Sequence, residues 1–385
     1  MRLLLDARYT RTDFHDGISR YGASLAAAAA TLARTPEWSG RIQLGMLIND
    51  PAQLRLLPNE IPWHRVSAPT SPLEPLLARQ INPLLPDVVF SPMQTMGTLG
   101  RRYGQILTLH DLIYYEHPTP PSSLPEPIRW LWRGYHLSYT PQRLLLNRAD
   151  RVATVSATTA GLIAQHRLTR RPVDVIANAA QPVATSRDPE GPRTRDLVYM
   201  GSFMSYKDVE SLLEAVPLLP GYTLHLLSRI SPARRAELEE YLVQARRRRG
   251  QHGGEVTFHG GVSDEAYTAL VAQATALVTL SRAEGFGLPV AEAMAQGTPV
   301  IGSAMPIFEE IGGTTGGFLP VPLTGDRGAA LAQRVRELDA PGAFARASRA
   351  AVAQAATFSW EASARALFTA ARQVHAARGR ERRAR

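Results

Sequence analysis

Residues 281–303 read SRAEGFGLPVAEAMAQGTPVIGS. The apolar run 275–280 before this stretch predicts a buried strand, and residues 299–301 inside it predict the start of the next strand. Between them, Pro289 suits the first helical position and Gly297 suits the residue just past the end of a helix. Strand, turn, helix and strand in this order predict a βαβ unit with its glycine-rich turn at the carboxyl end of a parallel strand.

The side chains of this turn suit a phosphorylated ligand that carries many hydroxyls. Gly285 and Gly287 let the backbone approach an anion beside the free N–H groups of a helix N-terminus. Glu284 and Glu292 lie on either side, and a carboxylate accepts two hydrogen bonds from paired hydroxyls. Alternatively, Glu284 is a solvated loop residue and Glu292 complements the helix dipole. A single binding site accounts for both carboxylates, so we favour it.

Strands and helices alternate along the whole chain, which predicts parallel sheets covered by helices on both faces. In the first half, candidate strands are 2–5, 42–48, 87–90, 105–109 and 151–155, and candidate helices are 18–32, 127–147 and 157–167. In the second half, candidate strands are 196–200, 222–227, 256–259, 275–280 and 299–301.

A proline-rich polar stretch, 181–195, is the best linker in the chain. The fold class that we predict is therefore α/β, with two Rossmann-like, doubly wound domains facing a cleft. These domains are residues 1–180 and 196–359. Residues 360–385 are expected to form a C-terminal helix and a basic tail, packed on either domain.

Composition excludes several other classes of protein. The chain has no cysteine, which rules out disulfides and thiolate metal sites, and its histidines do not cluster at the spacing of metal ligands. No apolar run approaches the roughly 18 residues of a membrane span, and residues 1–6 are too short for a secretory signal. We therefore expect a cytoplasmic protein that needs no metal.

The net charge of +9 suits a nucleic acid, an anionic membrane surface or a polyanionic substrate. Much of it comes from the arginines of 246–249 and from the tail 378–385, which resembles a frayed end. Both runs are interpreted as solvated surface or as contacts with acidic lipid headgroups at the inner face of a membrane. Nucleic acid is disfavoured because no aromatic residues interleave with the arginines.

Lys207 is the only lysine among 43 basic residues. It lies in the segment 201–208, between the first strand of the second half and the helix that follows. A flexible ammonium at this position suits a pyrophosphate leaving group, and the alternative is an ordinary surface lysine.

Two positions in the first half also come at the ends of predicted strands, where parallel sheets bind ligands. His110 follows the strand 105–109 directly, and it is either functional or a structural hydrogen-bond partner. Gly17 opens the helix after the first strand, where it would approach a phosphate or an acceptor sugar. Glycine at a helix start is common, so Gly17 alone is weak evidence.

In this order, these residues resemble the retaining glycosyltransferases of family 4, the group 1 glycosyl transferases, which have the GT-B fold. The most specific match is residues 284–292, EGFGLPVAE, followed by AMAQGTPV. Supporting matches are GISRY at 17–21, His110 with Asp111, Val155 with Ser156, Asn178, Gly201 with Lys207, Glu309, and FSW at 358–360. The resemblance makes residues 1–180 the acceptor side and 196–359 the nucleotide-sugar domain.

The resemblance also implies a role for each candidate residue. Glu284 would contact hydroxyls of the transferred sugar, and Glu292 would bind the ribose. Lys207 would neutralise the departing diphosphate, and His110 would lie against the sugar. Gly17 would line the cleft. The donor would also be bound by Gly285 and by the backbone amides of Phe286, Gly287 and Leu288.

The chain departs from the family pattern at the second cation of the diphosphate site. Many members have an arginine where this chain has Ser202, and Tyr206 stands where another basic residue often precedes the lysine. Either Lys207 neutralises the diphosphate alone, or an arginine from elsewhere replaces the missing cation, and Arg229, just after the strand 222–227, is the candidate.

The activity implied is retaining transfer of a hexose, most readily mannose, from a nucleotide diphosphate sugar to a glycan or lipid-linked acceptor. Such a reaction belongs to polysaccharide or envelope glycan synthesis, with no cofactor and no nucleic-acid partner. The alternatives are a GT-B relative that binds a sugar or nucleotide without catalysis, and a nucleotide-sugar epimerase. The pair Glu284 and Glu292 argues against the epimerase.

Overall fold

Seven parallel strands form the first sheet of the protein, as seen in a computed structural model that describes residues 1–13, 16–119, 126–183, 185–250 and 253–383. The strands are β1 (Arg2–Asp6), β2 (Gln43–Ile48), β3 (Trp63–Arg65), β4 (Val88–Ser91), β5 (Gly104–Leu109), β6 (Arg151–Thr154) and β7 (Val173–Val175). Their order is β3-β2-β1-β4-β5-β6-β7, so the direction of winding reverses between β1 and β4.

Six helices lie in the described part of this half of the chain. They are α1 (Gly17–Ala33), α2 (Ala78–Ile81), α3 (Ile113–Glu116), α4 (Glu126–His136), α5 (Thr140–Arg148) and α6 (Ala157–Gln165). α1 begins where it does because the Asp16 side chain accepts a hydrogen bond from the Ser19 amide (2.9 Å), which caps the helix.

Six parallel strands form the second sheet, in the order β10-β9-β8-β11-β12-β13. They are β8 (Asp196–Tyr199), β9 (Thr223–Leu226), β10 (Glu255–Phe258), β11 (Ala276–Thr279), β12 (Val300–Ser303) and β13 (Phe318–Val321). The helices that follow are α7 (Val209–Ala215), α8 (Pro232–Arg249), α9 (Asp264–Gln273), α10 (Leu288–Ala295), α11 (Pro306–Gly312), α12 (Arg327–Asp339), α13 (Ala343–Ala355) and α14 (Trp360–Arg383).

The chain divides into two units, each built on one of these doubly wound sheets. The first unit is Met1–Asn178 together with Ser359–Arg385, and the second is Ala179–Phe358. The α/β class and the two Rossmann-like folds predicted from the sequence are therefore confirmed. The stretch expected to be a linker packs on the second unit, where the Thr194 amide donates to the Gln273 carbonyl (2.9 Å). Residue 184 of that stretch lies outside the described residues.

α14 packs on the first unit, a choice that the sequence left open. Its residue Val374 meets Gly104 so closely that a Cβ at Gly104 would lie 2.3 Å from Val374 Cγ1. The Phe368 ring stands edge-on to Trp38 with 5.1 Å between centroids. The basic tail expected to fray continues this helix as far as Arg383, and residues 384 and 385 lie outside the described residues.

The sequence did not predict three short edge strands, β3, β7 and β13. β13 contains Pro320, which removes a backbone donor and is tolerated because the strand is at an edge. The helix predicted over 127–147 is instead two helices, α4 and α5. Pro141 lies in the first turn of α5, where its missing N–H costs nothing, so a new helix begins there.

A buried charge network ties β1 to the loops of the first unit. The Arg8 guanidinium donates to Asp6 Oδ1 (2.7 Å) and to Glu74 Oε2 (2.6 Å), and its side chain is fully buried. Asp6 also accepts from the Ser91 hydroxyl (3.0 Å), and Glu74 accepts from the Gly97 amide (3.1 Å). Directly or through the two carboxylates, the Arg8 cation therefore connects β1 to the segments around Glu74, Ser91 and Gly97.

Replacing Arg8 by methionine is expected to lower the free energy of unfolding by about 3–5 kcal/mol, because it leaves two buried carboxylates without a counter-charge. Urea unfolding of the full chain measures the change. Arg65→Met is the matched control, since Arg65 is exposed and makes one hydrogen bond, to the Asn49 carbonyl. A loss for Arg8→Met no larger than that of the control would contradict the network's structural role.

Candidate active site

The second sheet reverses its winding direction between β8 and β11, which are neighbours at its centre. In open parallel sheets, ligands bind at such a switch point, outside the carboxyl ends of the strands. The loop after β8 contains Lys207, and the loop after β11 contains Glu284. The topology therefore brings the two most chemically informative loops of the sequence to the same edge.

Several contacts join these two loops. The Arg282 amide donates to the Tyr206 carbonyl (2.7 Å), and the Arg282 guanidinium lies 2.9 Å from the carboxylate of Asp208. Between them, Lys207 Nζ forms an ion pair with Glu284 Oε1. The Lys207 and Glu284 side chains are only 12% and 18% exposed, so their charges interact in a partly dry environment.

The pairing of Lys207 with Glu284 adds a feature that sequence reasoning missed. The sequence assigned the two side chains to different parts of one ligand, a diphosphate and a sugar. In the structure they neutralise each other directly. A phosphate group that binds Lys207 must therefore compete with Glu284 for the ammonium, and a sugar hydroxyl must compete with the ammonium for Glu284.

A second cluster, centred on Asp208, supports the Lys207 loop. Asp208 has a left-handed backbone (φ 49°) and accepts from the guanidiniums of both Arg327 and Arg282, while Arg327 also donates to Ser303 Oγ (2.5 Å). Burial lowers the pKa of Arg327 below its usual value. Two arginines share one carboxylate, so the cluster keeps a net positive charge beside Lys207. In the sequence, the only sign of this cluster is that Asp208 directly follows the sole lysine.

The glycine turn has the geometry expected of a close approach to the backbone. Gly287 precedes the first residue of α10 with φ +89°, and a Cβ there would lie 2.9 Å from Phe308. Glycine is therefore required both by backbone conformation and by space. Leu288 is the first helical residue, so Pro289 lies one position later than predicted, still within the first turn. Phe286 is buried with its ring perpendicular to Phe358.

The remaining candidates of this turn lie on the same loop and helix. Gly285 is buried in the loop, and Glu292 is half-buried. Because α10 begins at Leu288, Glu292 is its fifth residue and lies in the second turn. That position is less suited to complementing the helix dipole, whose effect is confined to the first turn.

Arg229 lies in the loop after β9, the neighbour of β8. That loop contacts the loop after β8, because Ser228 Oγ accepts from the Gly201 amide (3.1 Å). Ser202 follows Gly201 and is exposed. Arg229 is exposed as well and, within the described ranges, has no ion-pair partner. The structure thus places an unpaired cation in the loop next to that of Ser202.

His110 lies at the carboxyl edge of the first sheet, directly after β5. Its Nε2 donates to the Pro92 carbonyl (2.7 Å), which leaves Nδ1 as an acceptor in the neutral ring. Burial lowers the pKa of His110, so the ring is neutral at pH 7. The Tyr21 ring stands edge-on to it at 5.1 Å. His110 also lines a cavity of about 110 Å³ with Asp111, Tyr114, Tyr115 and His136 among its walls.

Gly17 is the first residue of α1, in the loop region after β1. It is exposed, and apart from its chain neighbours and its own helix, no atom of the described residues lies within 4 Å of the position that a Cβ would occupy. Packing inside the protein therefore does not require glycine at this position, and its predicted contact with a ligand stays a prediction.

Neither a metal centre nor a membrane span is seen in the described part of the chain. Its histidine, aspartate and glutamate side chains form no group of three placed to hold a metal ion. Its helices include none that combines the length and the apolar character needed to cross a bilayer.

Sequence relatives match part of this chain. Residues 194–339 match the family model described as Glycosyl transferases group 1. O-antigen chain mannosyltransferase B of Escherichia coli is 34% identical over 164 residues, which cover 43% of this chain and 42% of that protein. A D-inositol 3-phosphate glycosyltransferase of Streptomyces griseus is 37% identical over 132 residues, 32% of this chain and 27% of that protein. The chain thus matches less than half the length of these relatives.

Solved structures resemble the chain along nearly its whole length. Sucrose-phosphate synthase of Thermosynechococcus elongatus has a TM-score of 0.69 at 20% identity, covering 98% of this chain and 99% of that one. The Anabaena protein HepE, solved in complex with UDP and glucose, has a TM-score of 0.63 at 18% identity, covering 96% and 99%. At these identities the likeness shows the fold. Residues 194–339 therefore resemble the group 1 glycosyl transferases, and the fold of the chain is the GT-B fold.

Proposed function

We propose that the protein is a retaining hexosyltransferase of family 4 that acts in the cytoplasm. It transfers a hexose, mannose in the first place, from a nucleotide diphosphate sugar to a glycan or lipid-linked acceptor during polysaccharide or envelope glycan synthesis. The observation that carries this proposal is the contact between Lys207 and Glu284 at the switch point of the second sheet. One cation for a diphosphate and one carboxylate for sugar hydroxyls meet there.

The relatives support the same class of reaction. Two of the matching proteins are named as O-antigen chain mannosyltransferases, from Escherichia coli and Salmonella typhimurium. HepE was solved with UDP-glucose and with UDP. Mannose is therefore the favoured sugar, and the nucleotide is the part of the donor that most needs a direct test.

The geometry suits a reaction driven by electrostatic stabilisation. In the proposed step, the bond between the sugar's anomeric carbon and the diphosphate oxygen breaks as the acceptor oxygen bonds to that carbon on the same face. The acceptor's proton passes to the departing phosphate. Lys207 leaves Glu284 and pairs with the diphosphate, while the Glu284 carboxylate turns to the sugar hydroxyls. The positive charge of the Asp208 cluster adds to the stabilisation of the leaving group.

A panel of nucleotide sugars tests the proposal. We expect the purified protein to hydrolyse GDP-mannose slowly without acceptor, faster than UDP-glucose or ADP-glucose, and to be stabilised against heat by the matching nucleoside diphosphate. Nucleotide release and thermal unfolding are the two measurements. If neither responds to any nucleotide sugar or nucleoside diphosphate, the transferase proposal is wrong.

Lys207→Ala is expected to lower turnover on the order of a hundredfold, or by about 3 kcal/mol of transition-state stabilisation, because the leaving diphosphate loses its cation. Steady-state kinetics with the best donor measure the effect. Arg235→Ala is the matched control, since it removes a cation from an exposed ion pair with Glu239 on α8. Wild-type turnover in Lys207→Ala would exclude the leaving-group role.

Glu284→Gln is expected to have opposite effects on binding and on turnover. Without its carboxylate partner, Lys207 is free for a phosphate, so the nucleoside diphosphate should bind up to about fivefold more tightly, the equivalent of about 1 kcal/mol. Turnover should fall because the sugar loses its acceptor group. Calorimetric titration and kinetics are the measurements, with Glu237→Gln on α8 as the control. Weaker diphosphate binding in Glu284→Gln would mean that the ion pair does not compete with the ligand.

A further inference from the structure

A groove in the first unit has five arginines among its ten lining residues. It has a volume of about 1260 Å³ and runs between α5 and the segment that follows α6. None of its ten lining residues is acidic or aromatic. They are Thr140, Arg143, Leu144, Asn147, Arg148, Ala164, Arg167, Thr169, Arg170 and Arg171. We call this feature the arginine groove.

Two of its five arginines have a structural role. Arg143 donates to the His166 carbonyl (2.8 Å), just past the end of α6. Arg171 donates to the Asn147 carbonyl (3.0 Å) near the end of α5. Helix C-termini carry unsatisfied carbonyls and a partial negative charge, which these guanidiniums complement. Local structure therefore explains Arg143 and Arg171.

The other three arginines, Arg148, Arg167 and Arg170, are not explained by local structure. All three are exposed, and none has a carboxylate partner among the residues that the structure describes. Like charges gathered without a counter-charge repel one another and destabilise a fold. The missing counter-charge is the first indication of an anionic partner.

Several of the arginines that the sequence indicated for lipid contact have carboxylate partners, unlike those three. Arg246 lies 3.2 Å from Glu255, Arg249 lies 2.5 Å from Asp326, and Arg248 pairs with Glu214. Arg378 of α14 lies 3.2 Å from Asp150. Four cations of these two runs therefore have a carboxylate partner, whereas Arg148, Arg167 and Arg170 of the arginine groove have none among the described residues.

One exposed apolar side chain lines the arginine groove, and others lie in the segment that precedes it in the sequence. Leu144 lies within it and is 62% exposed, and Leu137, just before α5, is 85% exposed. On α4, Trp130 is 67% exposed and Leu131 is 76% exposed. Large apolar side chains beside arginines are the pattern of surfaces that lie in the interface of a membrane, with guanidiniums at the phosphates and apolar groups at the acyl boundary.

We propose that the arginine groove, together with Leu137 and Leu144, docks the protein on a membrane that carries anionic lipids. Arg148, Arg167 and Arg170 contact headgroup phosphates, and the two leucines enter the acyl boundary. A nucleic acid fits the groove less well, because sites for single strands stack bases on aromatic residues and the lining has none. The groove belongs to the first unit, whereas Lys207 and Glu284 belong to the second.

Vesicle binding by the full chain tests the proposal. The probe is a set of vesicles with equal parts of phosphatidylglycerol and phosphatidylcholine, and vesicles of phosphatidylcholine alone are the comparison. We expect the wild type to sediment with the anionic vesicles only, and salt to weaken the binding. Absence of binding to the anionic vesicles at low salt overturns the proposal.

Arginine variants test whether the arginine groove is the surface that binds the vesicles. R148Q/R167Q/R170Q should partition about a hundredfold less, since each basic residue near an anionic surface contributes about 1 kcal/mol. R148K/R167K/R170K keeps the charge and should still bind, which guards against a loss of folding. R235Q/R334Q/R349Q removes the same charge from arginines in exposed ion pairs and should bind nearly as well as the wild type. Equal losses in the groove variant and this control would show an effect of net charge and refute the groove.

Two further measurements distinguish the nature of the partner. Leu137→Ser with Leu144→Ser should weaken binding to anionic vesicles if the leucines enter the bilayer, and unchanged binding would remove the apolar part of the proposal. Single-stranded RNA is the competing probe. Groove-dependent binding of RNA without binding of vesicles would replace the membrane by a nucleic acid.

Discussion

The ion pair between Lys207 and Glu284 connects two loops that are 77 residues apart in sequence, and the chemistry of the second unit depends on it. It exists because β8 and β11 are neighbours at the point where the sheet reverses its winding. Two further contacts, from the Arg282 amide and guanidinium, keep the loops in register around it. The charges of the pair cancel, so the positive field at this edge comes from the Asp208 cluster and from Arg229. A diphosphate therefore has to displace Glu284 in order to bind Lys207. The positive charge of the Asp208 cluster and of Arg229 is available to it without such competition.

The sequence predicted the strands at the centres of both sheets, because their apolar runs are continuous and the segments between them have helical patterns. It failed at β3, β7 and β13, where a strand is only three or four residues long and, in β13, contains a proline. The turn at Gly287 was predictable from two residues. Pro289 indicates the first turn of a helix, and a glycine just before it suits a residue with a positive φ. The Asp208 cluster was not, because Arg327 is 119 residues away and nothing local in the sequence indicates where its side chain ends.

Arginine has several different roles in this chain, and composition alone could not separate them. Arg8 is buried between two carboxylates and ties loops together, Arg327 supports the Lys207 loop, and Arg246, Arg248 and Arg249 form ion pairs around the end of α8. Only where the structure shows no carboxylate nearby does the excess charge become available to another molecule. The net charge of +9 is therefore less informative than the places in which it stays unpaired.

The packing of α14 on the first unit makes the second unit an insertion within the first. The chain leaves the first unit after Asn178 and returns to it at Ser359. Val374 fits against the glycine that begins β5, so part of the first unit's core has no partner until more than 350 residues have been synthesised. On the ribosome, the second unit can fold as a continuous segment while the first still exposes the apolar surface that α14 covers. The inserted unit is thus expected to complete its folding first, although its host begins the chain.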